Sequence, residues 1–253
     1  MDAVLLFSGQ GAQKVGMGKD LYDQYPVAKA LIEQADKALG ESLSAVMFEG
    51  PGEELTRTCN CQPALYVHGL ACLAVLKELV PSLNPVAAAG LSLGEFTAHA
   101  AAGTYSFEEG LRLVQKRGAF MEEACNATKG TMAAMIGGTD ENVIKLAQEC
   151  DVDVANFNCP GQTVVSGTEE GVAKAVAGAK AAGCKIAKKL NVAGAYHSRL
   201  MHSAMVKLAE ELKNISFGTP SMPVYCNYEA RVVEGPDDIR SMLEHQVCGS
   251  VRW

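Results

Sequence analysis

Long basic runs are missing from this 253-residue sequence, which has a formal net charge of −7. Proteins that bind nucleic acids neutralise phosphates with clustered basic side chains, so the sequence excludes that class of partner. The nucleotide-binding loops are missing as well, because neither G-x-G-x-x-G nor a P-loop lysine follows the first predicted strand at 4–8. Because the net charge is negative, an acidic partner would need a local basic patch.

Metal-binding and secretory patterns are also missing. The nine cysteines include no C-x-x-C pair, and Cys59-Asn60-Cys61 lacks a second group of ligands, so we expect no metal and no other bound cofactor. Scattered thiols in odd number are typical of a reducing compartment. The apolar N-terminus has no basic flank, and the uncharged run at 61–76 is too short to cross a membrane. We therefore expect a protein of the cytoplasm or an organelle matrix, without a membrane partner.

One pentapeptide, Gly90-Leu91-Ser92-Leu93-Gly94, fits a nucleophile elbow. Small apolar residues at 86–89 predict a buried strand before it, and 95–102 predicts a helix after it. A serine on such a strained junction needs neighbours without side chains, which the two glycines supply. The turn also directs the Leu93 N–H and the helix N-terminus at whatever the Ser92 hydroxyl attacks.

Three features each allow two interpretations. The pentapeptide can arise by chance in a sequence with 25 glycines. The segment Gly9-Gln10-Gly11-Ala12-Gln13 forms either an ordinary turn after a strand or a loop whose backbone N–H groups face a cavity, as an oxyanion hole requires. Arg117 lies in a predicted helix and is either a surface charge, which the pattern favours, or the cation for an acidic substrate.

The choice of base falls among five histidines. A serine hydroxyl is a weak nucleophile and needs a base within hydrogen-bond reach. His68 falls in a predicted buried helix, and His99 lies on the helix that leaves the elbow. His197 and His202 follow Ser92 by about 100 residues, the order usual in elbow enzymes. His197 is the better candidate because it lies on a loop flanked by small residues, whereas His202 is predicted on a helix surface.

The overall pattern predicts an α/β protein, and 48% hydrophobic residues suffice for a large domain with a smaller insert. Helices are predicted at 21–39, 62–79, 107–124, 200–214 and 236–245, with a polar connection at 53–61 and a strand at 224–227. Between 131 and 192 the predicted order is β-α-β-β-α-β, the signature of a ferredoxin-like unit. We therefore predict an α/β-hydrolase-like large domain with a parallel sheet at 1–126 and 193–253, and an inserted small ferredoxin-like subdomain at 127–192.

Five ordered segments carry a resemblance to a known family. They are Gly9 to Gln13, Gly90 to Glu95, Gln115 to Gly118, Asn156 to Gln162 and Gly194 to Ser198. Together they resemble the malonyl-CoA:acyl carrier protein transacylases, which are similar to the acyltransferase domains of polyketide synthases. The resemblance implies transfer of a malonyl group from malonyl-CoA to the phosphopantetheine thiol of acyl carrier protein, in fatty acid or polyketide synthesis, and we expect a monomer.

The resemblance also implies roles for the residues that react. Ser92 would carry the acyl group as an ester in a ping-pong reaction. His197 would be its general base and later the acid for the leaving thiol. The family orients this histidine with the backbone carbonyl of a late glutamine, and Gln246 falls at that position.

Two further roles follow from the same resemblance. The backbone N–H groups of Gln10 and Leu93 would form the oxyanion hole. Arg117 would bind the malonyl carboxylate with a bidentate pair, which requires an arginine rather than a lysine.

Some details qualify the resemblance. Bacterial members usually have a histidine where this chain has Leu91, whose side chain offers no polar contact. The segment ending in Tyr196-His197 is closer to the version of this motif linked with malonyl than to the version linked with methylmalonyl. The family usually continues some tens of residues beyond Trp253, through a Gly-Pro-Gly segment that completes the large domain.

The partner and the runner-up functions rest on weaker patterns. Acyl carrier proteins are acidic, and the basic residues near the His197 loop are candidates for docking one: Lys185, Lys188, Lys189 and Arg199. The same lysines could instead protect a strand edge from aggregation. A serine hydrolase or thioesterase would share Ser92 and His197, and a non-catalytic scaffold could keep the same fold.

Overall fold

A computed structural model describes residues 1–253, and the chain divides into two units. The first unit contains Met1–Ala119, Glu211–Cys226 and Arg231–Ile239. The second contains Phe120–Glu210, Asn227–Ala230 and Arg240–Trp253. These limits differ from the predicted division at 127 and 192, because the second unit also includes the end of a long helix, the His197 segment and the last residues.

The secondary structure comprises seven strands and eleven α-helices. The strands are β1 Asp2–Phe7, β2 Asn84–Gly90, β3 Gly130–Ile136, β4 Asp153–Cys159, β5 Gln162–Thr168, β6 Ile186–Lys189 and β7 Val251–Arg252. The helices are α1 Lys19–Gln24, α2 Pro26–Leu39, α3 Leu43–Glu49, α4 Gly52–Thr56, α5 Thr58–Leu79, α6 Leu93–Ala101, α7 Phe107–Ala127, α8 Asp140–Glu149, α9 Glu169–Gly178, α10 His202–Lys213 and α11 Pro236–His245.

The first unit is organised around two parallel strands. β1 pairs with β2 so that Phe7 lies beside Gly90, where both strands end. Because parallel strands end at the same sheet edge, the loops after β1 and β2 are neighbours. The strand predicted at 224–227 forms only two isolated bridges, a parallel one between Ala88 and Val224 and an antiparallel one between Tyr225 and Val232.

The longest helix of this unit, α5, is mostly buried. The run at 61–76, which was predicted to be too short to cross a membrane, is part of a 22-residue helix that by length and composition alone could cross one. However, 61% of its most apolar window is buried inside the protein. Such burial is typical of a core helix, with apolar residues around most of its circumference. Pro26 explains a difference from prediction nearby, where one helix was expected at 21–39. Proline favours the first position of a helix, so α2 begins there as a separate helix after α1.

The second unit contains a five-stranded sheet in the order β6-β3-β5-β4-β7. The first four strands pair antiparallel, and β7 pairs parallel with β4. Along the chain, β3 to β6 and the helices α8 and α9 follow the predicted order β-α-β-β-α-β. A buried cluster that includes Met135, Val143, Leu146, Val165 and Val172 joins both helices to one face of this sheet. The sequence pattern missed β7.

Candidate active site

Ser92 lies at a strained junction in the first unit. It lies two residues after the end of β2 and immediately before α6, with φ 52° and ψ −102°. This positive φ is uncommon for a residue with a side chain and marks strain of the kind found at active sites. A Cβ atom at Gly90 would lie 1.9 Å from the carbonyl carbon of Gly94, and one at Gly94 would lie 2.3 Å from the carbonyl oxygen of Phe7. Both glycines are therefore required for the turn that presents Ser92.

Arg117 on α7 is buried beside Ser92. Its guanidinium donates from Nη2 to Ser92 Oγ over 3.0 Å and from Nη1 to Gln62 Oε1 over 2.7 Å. Its Cζ atom lies 5.0 Å from the centre of the Phe96 ring. Only 1% of Arg117 is exposed, so the surface charge favoured by the sequence pattern is wrong. A buried cation of this kind needs compensating partners, which Gln62, Ser92 and the ring supply.

Gln62 is a site residue that the sequence analysis missed. It lies on α5, has 1% of its surface exposed and accepts a hydrogen bond from Arg117. The available signal was a glutamine within a long helix that is mostly apolar. Fully buried glutamines are uncommon and hydrogen-bonded, so this position was a candidate for a polar contact.

The loop after β1 lies beside the elbow. The Leu91 N–H donates to the carbonyl oxygen of Phe7 over 3.0 Å, which joins the elbow to the end of β1. Gln10 follows three residues later, and the loop is stabilised by a hydrogen bond from the Gly11 N–H to Gln13 Oε1 at 2.7 Å. Leu93 begins α6 on the other side of Ser92. The elements that carry the Gln10 and Leu93 N–H groups are thus neighbours, and their role as oxyanion donors stays a prediction.

His197 belongs to the second unit and is 4% exposed. Its Nδ1 atom lies 2.8 Å from the backbone carbonyl oxygen of Gln246. A carbonyl oxygen only accepts hydrogen bonds, so Nδ1 carries the proton in this contact. The Nε2 atom then has the lone pair that a general base requires. The glutamine predicted by resemblance is therefore the residue whose carbonyl contacts the imidazole.

A short buried segment fixes the backbone on both sides of this histidine. His197 has φ 55°, in the left-handed region. The next residue, Ser198, donates from Oγ to the carbonyl oxygen of Ala195 over 2.7 Å and accepts from the Leu200 N–H at 3.2 Å. Ser198 is fully buried. Its hydroxyl therefore closes the turn that holds the strained histidine, a role that the sequence analysis did not predict.

The other histidines lie in different surroundings. His99 on α6 is fully buried, with Nδ1 3.2 Å from Thr104 Oγ1, and burial lowers its pKa to about 3. Burial also lowers the pKa of the half-buried His68. His202 is exposed at the start of α10, as predicted.

The basic residues proposed for docking are exposed, but two are engaged within the second unit. Lys189 Nζ lies 3.4 Å from Glu169 Oε1. Arg199 binds Asp151 over 2.8 Å and Asp153 over 3.2 Å. Lys185 and Lys188 lie just before and within the short strand β6 and are exposed. The predicted patch thus contains two lysines that no ion pair described here neutralises, beside two paired cations.

The two cysteines of the lone C-x-C differ in exposure. Cys61 is buried, and burial raises the pKa of its thiol to about 12, whereas Cys59 is partly exposed. No group of three or more His, Cys, Asp or Glu side chains in the structure is arranged to hold a metal ion.

Comparisons with known proteins agree on one family. Residues 4–247 match the acyl transferase domain. The malonyl CoA-acyl carrier protein transacylase of Bacillus subtilis strain 168 is 44% identical over 253 residues, which cover 98% of this chain and 79% of that protein. The solved structure of the Coxiella burnetii malonyl CoA-acyl carrier protein transacylase gives a TM-score of 0.95 at 36% identity, covering 99% of this chain and 80% of that one.

A third similar protein was solved with a partner. That structure contains a type II PKS acyl-carrier protein in complex with its malonyl-transacylase. The matching chain gives a TM-score of 0.94 at 37% identity, and the match covers 99% of this chain and 82% of that chain. The present chain thus spans about four fifths of the length of its relatives.

Proposed function

The chain belongs to the acyl transferase family, among the malonyl-CoA:acyl carrier protein transacylases, and we propose that it transfers malonyl groups through an ester on Ser92. It is an acyltransferase whose donor is malonyl-CoA and whose acceptor is the phosphopantetheine thiol of an acyl carrier protein. The observation that carries the Ser92 mechanism is the buried guanidinium of Arg117, 3.0 Å from the elbow hydroxyl. A buried cation beside a nucleophile suits a short acyl group that ends in a carboxylate.

The first half-reaction forms the ester. His197 Nε2 takes the proton of the Ser92 hydroxyl while Oγ bonds to the thioester carbon. The tetrahedral intermediate places negative charge on the former carbonyl oxygen, where the N–H groups of Gln10 and Leu93 donate. The carbon–sulfur bond then breaks, and the imidazolium returns the proton to the CoA sulfur.

The second half-reaction transfers the acyl group to the carrier. The phosphopantetheine thiol gives its proton to His197, and its sulfur bonds to the ester carbon. The bond between that carbon and Ser92 Oγ breaks, and Oγ regains the proton. No step consumes water, so one thioester is exchanged for another and the overall free-energy change is small. The order is ping-pong because CoA leaves before the carrier thiol reacts. Arg117 binds the malonyl carboxylate in both halves.

Hydrolysis by a serine thioesterase is the alternative with the same nucleophile and base. The 1% exposure of Arg117 disfavours it, because a carboxylate bound to a buried guanidinium helps exclude water from the ester. A non-catalytic scaffold is disfavoured because Ser92, Arg117, Gln10 and His197 are all present.

A coupled product measurement separates these functions. The enzyme is mixed with malonyl-CoA and a carrier protein that bears phosphopantetheine, and free CoA, malonyl-carrier and free malonate are quantified. We expect CoA and malonyl-carrier in equal amounts. Malonate in place of malonyl-carrier would establish the hydrolase, and no product at all would indicate a scaffold. A carrier protein without phosphopantetheine is the matched control.

We propose that the carrier docks electrostatically near Lys185 and Lys188, which are exposed and beside the predicted strand edge. Lys189 and Arg199 contribute less, because each already binds a carboxylate of the second unit. A monomer in the cytoplasm or an organelle matrix, with no bound cofactor, fits this function.

We propose that 127–192 forms a ferredoxin-like subdomain, which the element order β-α-β-β-α-β and the sheet order β6-β3-β5-β4 support. The strand–elbow–helix unit of β2, Ser92 and α6 supports an α/β-hydrolase-like description of the remaining, larger domain.

A further inference from the structure

We infer that Gln62 and Phe96 are positioning residues that hold the Arg117 guanidinium at a fixed distance from Ser92, so that the site selects the length of a dicarboxylic acyl group. This inference rests on the proposed ester of Ser92. It assigns to two residues outside the reacting set a role in choosing malonyl over longer diacids.

Three helices converge on the guanidinium. Gln62 on α5 accepts from Nη1 at 2.7 Å, the Phe96 ring on α6 lies 5.0 Å from Cζ, and α7 supplies Arg117 itself. Gln62 and Phe96 are at most 1% exposed. A long arginine side chain has several rotatable bonds, and contacts at two separate points of its planar head remove that freedom.

The chemical type of Gln62 is as informative as its position. Its amide oxygen orients the guanidinium but carries no charge. A carboxylate at the same place would neutralise Arg117 and compete with the substrate. Gln62 therefore orients Arg117 without itself neutralising the positive charge that the acyl carboxylate would bind.

The distance to Ser92 sets the length of acyl group that fits. Nη2 lies 3.0 Å from Ser92 Oγ, so a carboxylate bound to this guanidinium must end close to the ester oxygen. A malonyl ester has one methylene between its ester carbon and its carboxylate and can bend back that far. Each additional methylene lengthens an extended chain by about 1.2 Å. The guanidinium cannot retreat by that amount without losing Gln62 and the ring, so a succinyl ester fits poorly.

Substitution of Gln62 tests this role by changing selectivity. Gln62→Met keeps an unbranched buried side chain and removes the acceptor, and Gln34→Met makes the same change at an exposed glutamine on α2 that contacts Glu108. We would measure kcat/KM for malonyl-, succinyl- and acetyl-CoA with the full chain. Gln62→Met should lower the malonyl value roughly tenfold. The malonyl-to-succinyl ratio should fall, acetyl transfer should stay within a few-fold, and Gln34→Met should match the wild type.

Two results would overturn the inference. An equal loss for all three donors would make Gln62 merely structural, and an unchanged malonyl-to-succinyl ratio would remove its role in selectivity. If Gln62→Met does not fold, Phe96→Leu, which removes the ring face, decides by the same ratio. The proposed function fails separately, when the wild type forms no malonyl ester on Ser92.

Discussion

The Nδ1 atom of His197 lies 2.8 Å from the backbone carbonyl oxygen of Gln246, so a neutral group orients this imidazole. In a triad with aspartate, the carboxylate also stabilises the imidazolium that forms when the base takes a proton. A carbonyl dipole fixes the tautomer and supplies less of that stabilisation. Because the accepting atom belongs to the main chain, it is independent of the side chain at position 246.

Gln246→Ala should therefore retain the histidine contact. We expect kcat per folded molecule to stay within a few-fold of the wild type, while the free energy of unfolding falls because the Gln246 side chain is fully buried. Steady-state transfer kinetics and urea unfolding of the same preparations measure the two effects. A loss of kcat comparable to that of His197→Ala, without unfolding, would assign the orienting role to the Gln246 side chain instead.

Ser198→Ala should loosen the turn that holds His197. The hydroxyl bonds to Ala195 and Leu200 are lost, so we expect kcat to fall roughly tenfold. KM for malonyl-CoA should change little, because Ser198 acts on the backbone of His197, the proposed base. Ser198→Cys keeps the size and a weak donor and should give an intermediate kcat. A fall in stability without this ordered loss of kcat would show that Ser198 has no positioning role.

Arg117→Ala should lower kcat/KM for malonyl-CoA by roughly 100-fold, since the carboxylate loses charge-assisted hydrogen bonds. Acetyl transfer should be little changed or improved, because an acetyl group has no carboxylate to bind. The matched control is Arg112→Ala on the same helix, where the guanidinium is half-exposed and pairs with Glu108. Equal loss for both acyl groups would count against binding of the malonyl carboxylate by Arg117.

His99 should make the protein less stable in acid. Burial lowers its pKa to about 3, whereas in the unfolded chain the value is near 6.5. Below pH 6.5 the unfolded state binds a proton that the folded state does not accept until about pH 3, so this contribution to stability is present above pH 6.5 and is lost as the pH falls. The slope for one proton is at most about 1.4 kcal/mol per pH unit.

Urea unfolding between pH 7 and pH 4 measures that slope. His99→Asn should be less stable at every pH and show a shallower decline, since it no longer titrates. His202→Asn changes an exposed histidine and should keep the decline of the wild type. Equal slopes for all three proteins would exclude His99 as the source.

The sequence predicted the local backbone geometry around Ser92 better than it predicted which distant residues contact the site. G-x-S-x-G between an apolar run and a helix indicated the strained Ser92 turn, because the two glycines are needed wherever backbones approach so closely. Resemblance supplied Gln246. The histidine order along the chain left His197 and His202 as candidates, and the loop with small neighbours favoured His197, whose role as the base stays a prediction.

The burial of Arg117 could not be predicted from its own helix. An arginine within an amphipathic helix is usually exposed, and the groups that bury this one come from elsewhere in the chain. Gln62 lies 55 residues earlier, and Phe96 is on the helix after the elbow. The same limit applies to β7, a strand of two residues whose pairing with β4 is decided by tertiary contacts.

The most direct test of the account is intact mass spectrometry after brief mixing with malonyl-CoA and no acceptor. We predict a gain of one malonyl group that maps to the peptide containing Ser92, and none in Ser92→Ala. Absence of the adduct in the wild type, or its persistence in Ser92→Ala, would contradict the assignment of Ser92 as the residue that carries the acyl group.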